Sequence, residues 1–142
     1  MSKNVLLPID LNHEASWSKS LPMAVRMVGD GGTLHLLGIV HDLGAGVVAS
    51  FLPDGFEQKA MERLKADLAA FANDHVPAGT ASAVHVGHGH VPETILRNGD
   101  ALDADLIVMA SHPPDDLTTM LVGSNADKVV RHANRPVLVV RG

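Results

Sequence analysis

The chain has 142 residues, enough for one ordinary domain with a sizeable core, since 46% of its residues are hydrophobic and 19% charged. A net charge of −5, from 11 basic and 16 acidic residues, argues against phosphate-backbone recognition, so no nucleic acid partner is expected. The absence of cysteine removes disulfides, thiolate nucleophiles and Cys-based metal sites. Three phenylalanines, one tryptophan and no tyrosine leave few stacking surfaces, so a bound ring must be held by aliphatic side chains and backbone groups.

The amino end passes from Met1-Ser2-Lys3-Asn4 directly into an apolar run, with neither a signal-peptide pattern nor an Arg-rich transit segment, and the cytoplasm is the expected location. Mean hydropathy is +0.14 and no apolar stretch reaches the roughly 18 residues that cross a bilayer, so no direct membrane insertion is expected. The first apolar run, Asn4 to Ile9, predicts a strand ending at Pro8-Ile9-Asp10. Asp10, a carboxylate where strand gives way to loop, either accepts hydrogen bonds from a ribose hydroxyl or caps the following helix. Trp17, Leu21, Ala24, Val25 and Val28 then share one helical face, with Gly29 as a stop. Pro22 bends that helix or sits in its first turn, with a start near Ser18 to Ser20.

Thr33 to Val40 predicts the second strand, and Asp42 to Gly55 a long segment that is a lid, a docking surface or a plain loop. Phe56 to His75 reads as a helix burying Met61, Leu64, Leu68 and Phe71. Ala81 to Val86 is the third strand. Gly87-His88-Gly89-His90 is expected to be a strand-to-helix turn, because Pro92 stands where a dinucleotide fingerprint needs its third glycine. A helix over Pro92 to Leu102 turns Ile95 and Leu102 inward. Leu106 to Ala110 is the fourth strand, and a helix opening at Ser124-Asn125-Ala126-Asp127 is expected to bury Ala126, Val129, Val130 and Ala133. Pro136 to Val140 closes the alternation. Continuously apolar strands alternating with helices imply a single-domain α/β fold over 1–142, a doubly wound parallel sheet with helices on both faces. Ligands of such sheets bind beyond the carboxyl ends of the strands, so the segments after Ile9, Val40, Val86 and Ala110 are the ones to search.

Gly123 allows close approach of backbone to ligand, and free amides at the following helix start, with the Ser124 hydroxyl, either donate to phosphate oxygens or serve only as a cap. Nine histidines invite a metal reading, with His85, His88 and His90 near one another and His35, His41 and His112 near strands or their ends. No helical H-E-x-x-H or H-x3-H motif occurs, so hydrogen-bonded or solvated histidines are expected and no metal site is assigned. The G-x4-G-K-[ST] loop is absent too, which leaves a Walker-type nucleotidase or kinase unsupported.

The opening Val-Leu-Leu-Pro-Ile-Asp, the segment Ala104 to His112 and the tail Gly123 to Arg141 together resemble a universal stress protein of the UspA type, over essentially the whole chain. The resemblance implies the sheet order 3-2-1-4-5 and a homodimer paired through the last strand, here Val137, Leu138, Val139 and Val140. It also implies a regulatory module rather than an enzyme, binding ATP or a related adenine nucleotide. Pro8, Ile9 and Asp10 would line the adenosine end, with Asp10 at the ribose and the backbone of Ile39 or Val40 at the adenine edge. Ala110, Ser111, His112, Pro113, Gly123, Ser124 and Asn125 would form the phosphate loop.

In that loop the family pattern G-x2-G-x9-G-[ST] is kept at Gly123-Ser124, but its first two glycines are Ala110 and Pro113. Pro113 removes an amide donor, and Pro114, Asp115 and Asp116 follow where a basic residue often stands. Those carboxylates repel a triphosphate unless Mg²⁺ lies between or they face solvent. The alternative is therefore a dimeric scaffold that has lost nucleotide through its Pro113–Asp116 loop. Slow hydrolysis by Asp10, His112, Asp115 and Asp116 lacks a triad, arginine finger or paired-acid spacing. Ala-Ser-His-x-Pro followed by Leu-Val-Gly-Ser-Asn-Ala also resembles a subgroup found beside tripartite ATP-independent transporters, which implies a membrane transporter as a protein partner.

Overall fold

In the computed structural model, residues 3–41, 55–111 and 124–141 are described. Five parallel strands, β1 (Asn4–Pro8), β2 (Thr33–His41), β3 (Ala81–Gly89), β4 (Leu106–Ser111) and β5 (Val137–Arg141), form one sheet in the order β3-β2-β1-β4-β5. The order matches the one implied by the resemblance. Between them run α1 (Ser20–Val28), α2 (Phe56–His75), α3 (Val91–Ala101) and α4 (Ser124–His132).

The apolar runs have a direct cause in the burial. On β1, Val5 and Leu7 face α1 and α2 and join Leu34, Leu36, Leu68 and Phe71, while the intervening Leu6 faces the other way and joins Leu37, Ile95, Ile107 and Val129. Both faces of the strand are dry, so alternation is lost from the sequence. Pro22 is the third residue of α1, inside the first turn where its missing N–H is not needed, so that helix begins at Ser20 rather than bending. No helix among the described residues is long and apolar enough to cross a membrane.

Two expectations are corrected. β3 does not stop at Val86: it stays in register with β2 through Gly87↔Ile39, His88↔Val40 and Gly89↔His41, and α3 starts only at Val91. The glycine is there for packing. A Cβ on Gly87 would lie 2.4 Å from Thr94 Cγ2 of α3, so only a bare backbone lets the strand run beneath the helix. Gly38 does the same on the opposite face, where a Cβ would sit 2.7 Å from Leu68 Cδ1. The second correction concerns α4. Val130 is 48% exposed, while Ala126 and Val129 are buried, because this nine-residue helix rests on the sheet along a narrow stripe and Val130 falls beside it.

Candidate functional site

β1 leads through α1 to β2 on one side, and β4 leads through α4 to β5 on the other. The adjacent pair β1 and β4 is therefore the point where the sheet's winding reverses, and a crevice must open beyond their carboxyl ends. A cleft of about 650 Å³ occupies that position. Pro8, Ile9 and Asp10 form its floor after β1, with Met109 and Ala110 from β4 and Leu37 and Ile39 from β2. Leu64 and Asp67 of α2 make one wall; Val91 and Ile95 of α3 and Asn125 of α4 add the rest. Most of this lining is aliphatic, as the scarcity of aromatic residues requires.

The polar edge is built by the segment after Asp10. The Asp10 N–H donates to Ser16 Oγ at 3.0 Å, and the Ser16 hydroxyl donates to the Asp10 carbonyl at 2.9 Å. The Asn12 N–H donates to Asp10 Oδ1 at 3.0 Å, an Asx turn, and His13 Nδ1 lies 2.8 Å from Asp10 Oδ2. Backbone and side chain of Asp10 are thus both fixed. Each carboxylate oxygen has one described partner and can accept another bond, and Asp10 lines the cleft. A carboxylate with that capacity suits two neighbouring hydroxyls, as on a ribose.

Of the residues expected to bind nucleotide, the structure brings Pro8, Ile9, Asp10, Ile39, Ala110 and Asn125 around one cleft. Val40 and Ser111 lie at the ends of β2 and β4 but are not among the cleft-lining residues; Ser111 is buried. Ser124 is the first residue of α4. His112, Pro113, Gly123, Asp115, Asp116 and nearly all of the 42–55 segment fall outside the described residues. Val137, Leu138, Val139 and Val140 lie half-buried on β5, an edge strand whose described pairing is with β4.

Sequence reasoning missed Asn12, His13, Ser16 and Asp67. The run Asp10-Leu11-Asn12-His13 carries the signature of an Asx turn, which would have pointed to the first two. Ser16 gives no such signal, because its bonds to Asp10 exist only once the short 3-10 turn Glu14–Ser16 has formed. Asp67 follows Leu64 by three residues on α2, and a polar residue next to an apolar stripe reads as ordinary solvated surface.

Two of the histidines, His35 and His85, form a pair away from this cleft. His35 Nδ1 lies 2.9 Å from His85 Nε2, and His35 Nε2 lies 3.2 Å from Asn4 Oδ1, near the amino end of β1. An amide oxygen only accepts, so His35 holds its proton on Nε2 and receives the His85 Nε2–H on Nδ1. Burial lowers the pKa of both rings below the ordinary value of 6.5; the neighbouring His85 adds to the effect on His35, and Lys65 to that on His85. His88 Nε2 is buried 3.3 Å from Glu57 Oε1, an ion-pair separation without the alignment of a hydrogen bond.

Comparison with known proteins agrees with this architecture. The model of the universal stress protein family matches residues 1–141. Universal stress protein G of Salmonella typhimurium is 32% identical over 143 residues, covering 99% of this chain and all of the relative. Among solved structures, hypothetical protein MJ0577 of Methanocaldococcus jannaschii superposes with a TM-score of 0.74 at 24% identity, over 100% of this chain and 97% of that one. A universal stress protein in complex with cAMP gives a TM-score of 0.65 at 17% identity, over 99% and 97% of the two chains. An Arabidopsis thaliana family protein with AMP bound gives 0.62 at 12%, over 98% and 91%. A family model that spans the chain, a relative that aligns with it end to end and a sheet of the same order lead to one conclusion: this chain belongs to the universal stress protein family.

Proposed function

We propose that the chain is a regulatory module that binds an adenine nucleotide or nucleoside in the cleft beyond β1 and β4 and conveys its occupancy to another protein. The observation that carries this reading is Asp10: a carboxylate at the winding reversal, fixed by five local hydrogen-bonding contacts, with acceptor capacity left on both oxygens. Ile9, Ile39, Ile95 and Met109 offer an apolar slot for a purine beside it. The cAMP and AMP carried by two proteins of the same fold support the ligand class. ATP with Mg²⁺ is the family-implied form of that ligand. No nucleophile–base pair stands in the described cleft, so binding rather than turnover is the role proposed.

The output of the module is a protein contact. Two chains pair through the outer edge of β5, and the soluble dimer meets a further partner, for which a membrane transporter is the first candidate to test. Ligand regulates that contact only through different affinities for two states of the protein. The experiment is direct: acid-extract the purified protein, separate the extract for adenine compounds, and follow the melting temperature with adenosine, AMP and ATP added. Adenine compound in the extract, or a saturable rise in melting temperature, is expected. A clean extract with no shift from any of the three removes the reading in favour of a scaffold without nucleotide, which Pro113 and Asp115-Asp116 favour in the sequence.

A further inference from the structure

Away from the cleft, two histidines meet on one face of the sheet. Leu34, Leu36, Val84 and Val86 turn to the core beneath α1 and α2, so by strand alternation His35 of β2 and His85 of β3 turn to the other side. His35 stands opposite Ala83 and His85 opposite Leu37, a diagonal across neighbouring strands that brings Nδ1 of the first to 2.9 Å from Nε2 of the second. The far side of the His35 ring is held: its Nε2–H donates to Asn4 Oδ1 at 3.2 Å, which leaves the Nδ1 lone pair facing His85. Metal-binding histidines almost always have such an outer oxygen partner, which fixes the tautomer and aims the ligating nitrogen. Both residues are half-buried, hence open to ions from solvent, and burial keeps both rings neutral at neutral pH, the form that ligates.

We propose that His35 and His85 form a two-histidine site for a borderline divalent cation of the Zn²⁺ class, separate from the cleft beyond β1 and β4. The ion takes the place of the hydrogen that the two rings share. His35 Nδ1 and His85 Nε2 each give it a lone pair, and the Nε2 proton of His85 moves to Nδ1 of the same ring, so both rings stay neutral and no proton is released. Two nitrogens 2.0–2.1 Å from a tetrahedral ion stand about 3.3 Å apart, so the pair has to open by only about 0.4 Å, within reach of a small rotation of half-exposed rings. Among the described residues no group of three or more His, Cys, Asp or Glu converges, so water completes the coordination, as at open zinc positions. Lys65 is the charge felt by His85 and opposes a cation there, but it is exposed and screened by solvent. The ion joins β2 to the edge strand β3, and because it binds only the folded pair it makes the stability of the chain depend on metal supply.

Calorimetric titration of Zn²⁺ into the whole chain at about pH 7.5, where unperturbed imidazoles are neutral, tests this. Saturable binding is expected in the wild-type chain, and His85→Gln is expected to weaken it at least about tenfold, since even the outer partners of a metal ligand are worth 10–100-fold. His90 is exposed and outside the pair, so His90→Gln serves as the control and is expected to bind as the wild type does. Imidazole nitrogen resonances of the wild-type chain give a reading that needs no variant to fold: those of His35 and His85 are expected to shift together as Zn²⁺ is added. No saturable binding, a loss in His85→Gln smaller than tenfold or matched by His90→Gln, or His35 and His85 signals that stay in place at saturation overturns the site.

Discussion

Asp10 shows how one residue can meet a structural and a binding requirement together. In sequence it reads as a cap or as a ribose acceptor, and in the structure it organises the 10–16 segment and lines the cleft. Its place at a strand end is legible from the pattern; its partners are not, because bonds between Asp10, His13 and Ser16 depend on a turn that only the folded chain defines. Asp10→Ala removes the Asx-turn acceptor and is expected to cost about 1 kcal/mol of stability, read from the shift in denaturant midpoint.

At the scale of elements, strands and helices are legible wherever apolar runs or stripes repeat, and illegible where a neighbour decides. Gly87-His88-Gly89 looks like a breaker, yet it is strand, because Thr94 of α3 occupies the space that a side chain at 87 would need. Gly87→Ala is therefore expected to lose about 1–3 kcal/mol, and Thr94→Ser, which deletes the opposing methyl and keeps the hydroxyl, to restore part of it in the double variant. Additive losses in that cycle would show that the contact is not the cause. The β2–β3 ladder also carries the His35–His85 pair, where folded-state pKa values lie below the unfolded 6.5. Below about pH 6.5 the unfolded chain takes up more protons than the folded one, so stability is full above that pH and declines as pH falls beneath it. Denaturation midpoints compared at about pH 7.5 and pH 5.5 should show the decline, and His85→Gln should reduce it. A midpoint that rises on acidification would reverse the assignment.

For the whole molecule, the alternation of elements predicts a doubly wound sheet, but no periodicity dictates which strands are neighbours; the order β3-β2-β1-β4-β5 was implied by family resemblance and is met by the structure. That order matters most for function, since it makes β1 and β4 adjacent and so opens the cleft where Asp10 stands. It also leaves β5 at an edge, a short apolar strand that an exposed position would make prone to association. Sedimentation is expected to give twice the 14.9 kDa chain mass, and a monomer at all concentrations would contradict pairing through β5. The central claim, that the cleft at the winding reversal binds an adenine compound through Asp10, meets its most direct test in calorimetric titration of adenosine into the wild-type chain and Asp10→Ala, with folding of both checked by circular dichroism. The account predicts saturable binding, one ligand per chain, that weakens at least about tenfold in Asp10→Ala, as expected when a charged hydrogen-bond acceptor is lost. Absence of binding to the wild-type chain, or equal binding to both, would contradict it.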